Sequence, residues 1–163
     1  MLISYGMRNA ITERLRRLFG GNPCRVQAAA LPWRKSAAGV EVMLVTSRKT
    51  GRWVLPKGWP DGGESLAESA AREAFEEAGV KGVISQAEAG RYYYRKQMPS
   101  GVTWRCEVAV FPLEVEKEAA KWPERAKRKR KWLSPEEAAR LVKEPDLAEL
   151  IVGFCDNPRK IAA

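Results

Sequence analysis

Three glutamates, Glu73, Glu76 and Glu77, stand close together near the middle of the chain. The stretch around them has helical spacing, and at about 3.6 residues per turn they share one arc, at i, i+3 and i+4. Their Cβ atoms then lie roughly 5–6 Å apart, and like charges so placed destabilise a helix by roughly 0.2–0.5 kcal/mol per pair. Arg72, four residues before Glu76, offsets part of that repulsion but cannot neutralise three carboxylates. A divalent cation can, and clustered hard oxygen ligands suit Mg2+ or Mn2+. A Glu-Glu pair standing alone would read as a solvated acidic face, so the weight falls on its surroundings.

The predicted helix is well punctuated. Ser65 is a natural N-cap and Glu68 completes a capping box. Gly79 ends the helix, with Val80 placed for the usual hydrophobic contact. Ala67, Ala70, Ala71, Ala74, Phe75 and Ala78 fall on a different arc from the glutamates, and their small side chains allow close approach to a sheet. Upstream, Pro60–Gly63 reads as a glycine-rich loop.

Composition narrows the chemistry further. The chain has no histidine, which excludes serine–histidine and cysteine–histidine catalysis. Its three cysteines, Cys24, Cys106 and Cys155, form no CxxC pair, so no structural zinc site is expected. Acid–base work must come from carboxylates, lysines, tyrosines or metal-bound water. The cysteines read as reduced and mostly buried, which suits a cytoplasmic protein.

The segment from Gly58 to Val80 fits a 23-residue pattern: Gly58, five residues, Glu64, seven residues, then Arg72-Glu73-Ala74-Phe75-Glu76-Glu77-Ala78-Gly79-Val80. This resembles the Nudix box at every specified position, with Ala74 at the first aliphatic place, and the chain is identified as a member of the Nudix (MutT-like) hydrolases. The resemblance implies a mixed β-sheet sandwiched between helices, and metal-dependent cleavage of a phosphoanhydride. It implies Glu73, Glu76 and Glu77 as metal ligands, one of them often serving as base, with the carbonyl near Gly58 completing the shell. Glu64 and Arg72 match positions that orient the helix and its carboxylates. In some relatives the base lies outside the box, and Glu107, Glu114 and Glu116 are candidates for that role.

Strands are expected at Arg25–Trp33 and Val40–Thr46, joined by a turn at Lys35–Gly39, and a short extended piece at Arg52–Leu55. Two more are expected at Val83–Gln97 and Val102–Val115, joined at Pro99-Ser100-Gly101. A charged loop follows from Glu116 to Lys131, then a strand at Trp132-Leu133 and helices at Ser134–Val142 and Asp146–Phe154. The order predicts an α/β protein with mixed strand directions. At 163 residues, one domain from 23 to 163 follows a helical extension over 1–22. In that extension Ile3, Met7, Ile11, Leu15 and Leu18 recur at helical spacing and read as the apolar side of an amphipathic leading helix, which is favoured over a membrane-surface role. No uncharged run is long enough to cross a bilayer, and no membrane partner is expected.

The net charge of +9 favours polyanionic partners. Leu55-Pro56-Lys57-Gly58, and Trp122-Pro123-Glu124 followed by Arg128-Lys129-Arg130-Lys131-Trp132, resemble Nudix enzymes that cleave diphosphoinositol polyphosphates and dinucleoside polyphosphates. That similarity implies Lys57, Arg128 and Arg130 as substrate-binding cations, although a solvated loop explains the basic run equally well. Dinucleotide enzymes often carry a tyrosine a little beyond a dozen residues past the box, and none sits squarely there. Tyr92, Tyr93, Tyr94 and Trp104 read as strand packing. Other polyphosphate substrates of the same fold (nucleoside triphosphates, nucleotide sugars, RNA 5′ ends) form the alternative. A nucleic-acid-binding protein without catalysis, or a regulatory domain without turnover, fits a complete box poorly, so no stable nucleic-acid complex is expected. Monomer and homodimer are both open.

Overall fold

Alternation of apolar residues along the strands decides which element covers which face of the sheet. The computed structural model describes residues 3–156 and 158; the outer ends of the two expected regions lie outside the described residues. Helix α1 (Tyr5–Leu18) precedes strands β1 (Arg25–Ser36), β2 (Gly39–Thr46), β3 (Trp53–Val54) and β4 (Lys57–Gly58). Helix α2 (Leu66–Glu73) continues as a π-helical turn over Ala74–Ala78. Strands β5 (Val80–Ile84), β6 (Gly90–Gln97), β7 (Thr103–Glu118) and β8 (Arg130–Leu133) follow, then helices α3 (Pro135–Leu141) and α4 (Pro145–Asp156).

The sheet is mixed. β1 runs parallel to β7, while the β1–β2, β1–β4, β2–β3, β2–β8, β5–β7 and β6–β7 pairs are antiparallel. Along β1, Ala28 and Ala30 face α2, while Ala29, Leu31 and Trp33 face α4; in β7, Ala109 and Phe111 alternate likewise with Val108 and Val110. One core therefore joins the α2 alanines to Met43, Val45, Phe111 and Leu113. The other joins Leu44, Tyr92 and Val110 to Leu147, Ile151 and Phe154. Each fully buried large apolar side chain contributes about 1.5–3 kcal/mol relative to exposure. The sheet between helices is the expected α/β architecture.

One expected strand is interrupted. β5 and β6 lie end to end along the same edge of β7, Ile84 opposite Leu113 and Gly90 opposite Val110. Residues 85–89 bulge outward there, returned to the edge by Ser85 N–H donating to Pro112 O and Ala89 N–H to Val110 O. The expected piece from Val83 to Gln97 has the right course, but this bulge splits it.

The leading segment forms an amphipathic helix with Ser4 as its N-cap, packed onto the fold. Its inner face is polar. The Glu149 carboxylate accepts from Tyr5 and Gly6 N–H at the positive end of the helix. Asn9 donates to Asp146, Arg17 pairs with Glu107, and buried Glu13 pairs with Arg105. Met7, Ile11, Leu15 and Leu18 face outward. The apolar spacing marks a face correctly but not what meets it. The groove that α1 enters, between α4 and β6, offers carboxylates and an arginine.

Candidate active site

Two short pieces of backbone converge on one place, β4 at Lys57–Gly58 and the helix carrying the glutamates. The capping box at Ser65 and Glu68 forms, and Ser69 donates to Glu64 at 2.8 Å, which fixes the helix start. Arg72 sits at the centre of the acidic group. Its guanidinium donates to Glu64 at 3.1 Å, to Glu73 at 2.8 Å and to the Trp59 carbonyl at 3.1 Å, and stands 3.5 Å from Glu76. Glu64 is held below the usual carboxylate range, chiefly by its bond to Arg72.

Glu73 and Glu77 are buried, whereas Glu76 is half-exposed. A Cβ on Gly58 would overlap the Glu73 carboxylate, so glycine there lets that side chain lie against the β4 backbone. Glu77 accepts from Lys57 N–H at 3.2 Å and pairs with Arg128, itself buried. Burial pushes Glu73 up, with Arg72 opposing. Burial likewise pushes Glu77 up to about 7, with Arg128 opposing most strongly. It pushes Lys57 down to about 8, opposed by the nearby Glu77 charge.

The π turn is absent from the sequence reading, which placed all three glutamates on a regular α-helix. Extra residues in a helical turn recur at functional sites, and here the turn begins directly after Glu73. The expected charged loop explains how it is held. Glu124 N–H donates to Glu76 O, Trp122 Nε1–H to Glu77 O, Arg130 to Ala78 O and Ala119 N–H to Gly79 O, at 2.7–3.2 Å. Four carbonyls at the end of the helix, ordinarily left to solvent, are thus each satisfied by the segment from Ala119 to Arg130. The Trp122 ring also covers Gly79, whose φ of 66° suits glycine.

This arrangement revises the picture of the basic run. Arg128 is taken up by Glu77, Glu124 and the Thr46 carbonyl. Arg130 is taken up by helix-end carbonyls and stacks on Trp122. Both therefore hold the helix itself, while Lys127, Lys129 and Lys131 remain exposed. Lys57 is brought to the site. Among the described residues, Glu107, Glu114 and Glu116 make no hydrogen bond or ion pair with the glutamate helix. Glu107 instead binds Arg17, Arg91 and Tyr93.

A group of cations and rings beside β4 escaped the sequence reading. The Lys57 ammonium lies 5.2 Å from the Tyr94 ring centre, Lys96 lies 5.0 Å from Trp59, and the Arg25 guanidinium lies 3.3 Å from Trp104. Trp59 meets Trp104 edge to face. None of Arg25, Lys57 and Lys96 has a carboxylate within ion-pair distance among the described residues. The only sequence signal is strand register, which sets Lys96 opposite Trp104. Tyr92 is core packing, as expected. A cavity of about 930 Å³ opens away from this site, under α1, and none of the three glutamates lines it.

The donor set suits a hard divalent cation, being carboxylate oxygens beside a side-chain-free stretch of backbone at Gly58. Among the described residues, however, no three acidic, cysteine or histidine side chains already converge on one point. Glu73 turns to Arg72 and Glu77 to Arg128, and these carboxylates would have to swing from arginine to metal.

Residues 25–153 match the family described as NUDIX domain. The chain belongs to the Nudix family. This Nudix chain is 33% identical over 148 residues to Nudix hydrolase 16, mitochondrial, of Arabidopsis thaliana, covering 80% of each. It is 29% identical over 118 residues to human diphosphoinositol polyphosphate phosphohydrolase 3-alpha, covering 71% of this chain and 68% of that one. It spans about half the length of some other Arabidopsis relatives. In fold it is similar to a C. elegans Ap4A hydrolase, with a TM-score of 0.60 at 22% identity, covering 79% of this chain and 93% of that one. This Nudix chain is an enzyme of the phosphoanhydride hydrolase class. No helix among the described residues is long and apolar enough to cross a membrane.

Proposed function

We propose that this Nudix enzyme hydrolyses a phosphoanhydride in a diphosphoinositol polyphosphate or a dinucleoside polyphosphate, with Mg2+ or Mn2+ as cofactor. Glu73, Glu76 and Glu77, with the backbone carbonyl at Gly58, would hold the cation. When bound, the metal offsets phosphate charge and lowers the pKa of an attacking water.

The chain's own residues supply the rest. Arg72 ties Glu64, Glu73 and Glu76 into one unit, so the carboxylates keep their places without substrate. A carboxylate of this group takes the proton from water as it attacks phosphorus. Arg128 fixes Glu77 from behind. Lys57, Lys96 and Arg25 meet the anionic substrate and offset the charge gathering on the leaving phosphate.

One observation carries the choice of a highly phosphorylated substrate: three cations without carboxylate partners stand beside β4, two of them over the tryptophan rings. With those rings already covered by cations, charge recognition is favoured over stacking of a base. The similarity to the human diphosphoinositol polyphosphate phosphohydrolase points the same way.

The test is phosphate release from diphosphoinositol polyphosphates, dinucleoside polyphosphates, nucleoside triphosphates, nucleotide sugars and 5′-triphosphorylated RNA, with metal or chelator. Metal-dependent turnover is expected to be highest on the first two classes, and Glu76→Gln to lower it at least about a hundredfold. Highest turnover on nucleoside triphosphates, nucleotide sugars or RNA ends would overturn the substrate assignment. Full activity in chelator would overturn the metal assignment.

A further inference from the structure

Helix α1 turns its apolar face to solvent. Met7, Ile11 and Leu15 are each about half exposed, and Leu18 and Phe19 are 79% and 86% exposed. Ile3 and Tyr5 extend the patch. The opposite face, carrying Asn9, Glu13 and Arg17, is moored to Asp146, Arg105 and Glu107. Apolar area on this scale, exposed by a helix whose polar side is the one in contact with the fold, marks an interaction surface.

The width and rim of the patch select its occupant. Residues four apart drift by about 40° on a helix of about 3.6 residues per turn. Met7, Ile11 and Leu15 therefore spread across a broad arc, wider than the a/d seam of a coiled-coil partner. On the same wheel Arg14 borders one margin of the arc and Arg8 the other, and both are exposed. Neither has a carboxylate within ion-pair distance among the described residues. In a two-fold pair of copies, such margins would set arginine against arginine.

We propose that α1 is an interfacial helix that lays this face on a bilayer surface rich in anionic lipid. Its apolar side chains enter the boundary between headgroups and acyl chains, and Arg14 and Arg8 meet lipid phosphates along the two margins. Because the inner face is moored by ion pairs and hydrogen bonds, the helix binds as part of the folded body, and the active site is held at the surface with it. The sequence expectation of no membrane partner rested on the lack of a run long enough to span a bilayer, which does not bear on a helix lying at its surface.

Sedimentation of the whole chain with vesicles tests this independently of any activity. Binding is expected to phosphatidylcholine vesicles containing about one third phosphatidylglycerol, and little to phosphatidylcholine alone. Ile11→Asp with Leu15→Asp removes apolar contact and should weaken binding by about tenfold or more. Arg8→Gln with Arg14→Gln should weaken it on the order of twentyfold, as should raised salt. Every substituted position is exposed, so far-UV circular dichroism of both variants should match the parent. Absence of binding to the anionic vesicles at low salt overturns the proposal. So does binding that both folded variants retain, or a solution dimer without vesicle binding that Ile11→Asp with Leu15→Asp dissociates.

Discussion

Replacing Arg128 by methionine roughly keeps the side chain's length and removes the cation paired with Glu77. The two side chains are only 6% and 10% exposed, so water screens the pair little. Removing one partner of a buried pair costs about 3–5 kcal/mol, because the other charge is left uncompensated. The guanidinium's bonds to the Thr46 carbonyl and to Glu124 disappear with it. Burial already holds the Glu77 carboxyl up near a pKa of about 7 against the pull of Arg128, so its pKa rises further in the variant. Well below that pH the carboxyl is protonated in both proteins, and the ion pair contributes little to their difference. Above it the parent is ionised, while the variant must hold either a proton or a bare buried charge. The variant's deficit therefore grows with pH, by up to about 1.4 kcal/mol per unit above neutrality. Urea unfolding in chelator should show a loss of about 3–5 kcal/mol near pH 8.5, and about half of it or less near pH 5.5. A loss that does not change with pH, or one under about 1 kcal/mol at the alkaline end, refutes the assignment of Arg128 as the counter-charge of Glu77.

Two further outcomes follow from the same geometry. Gly79→Ala places a Cβ 2.7 Å from the Trp122 ring at a φ of 66°; it should destabilise the protein by about 2–4 kcal/mol and change the tryptophan fluorescence, and an unchanged melting curve would contradict the clamp. Burial raises the Glu77 carboxyl to about 7, so it must lose its proton to bind metal near neutrality. Calorimetric titration with Mn2+ should show affinity rising up to about tenfold per pH unit between about pH 5.5 and 7, and a flat profile would argue against Glu77 as a ligand.

Local rules made the catalytic helix legible. Ser65, Glu68 and Gly79 act within a few residues of themselves, so their capping roles follow from sequence alone. The strand alternation of β1 and β7 was readable for the same reason. What escaped depends on distant partners. The bulge at 85–89 is closed by carbonyls of β7, and nothing within the segment itself announces a break. The basic run offered five cations and no sign that Arg128 and Arg130 would be spent on the carboxylate and carbonyls of the glutamate helix, about fifty positions earlier. In α1 the apolar period was plain, yet whether a face is buried depends on the surface it meets, and here that surface is polar. Arg25, Lys96 and Trp59 come together only because the sheet brings the start of β1, the end of β6 and the residue after β4 side by side.

The clamp on the helix end also bears on how the chain matures. Ala78 receives its bond from Arg130, 52 positions downstream, and Glu77 is reached by Trp122 after 45. During synthesis the whole run of glutamates is therefore complete well before the residues that hold its final turn exist. A nascent chain stopped at Lys121 would contain every carboxylate of the site and none of the indole, guanidinium and main-chain donors from Trp122 onward that hold it. Catalytic competence, on this account, arrives late in folding, with closure of a long-range loop rather than formation of the helix.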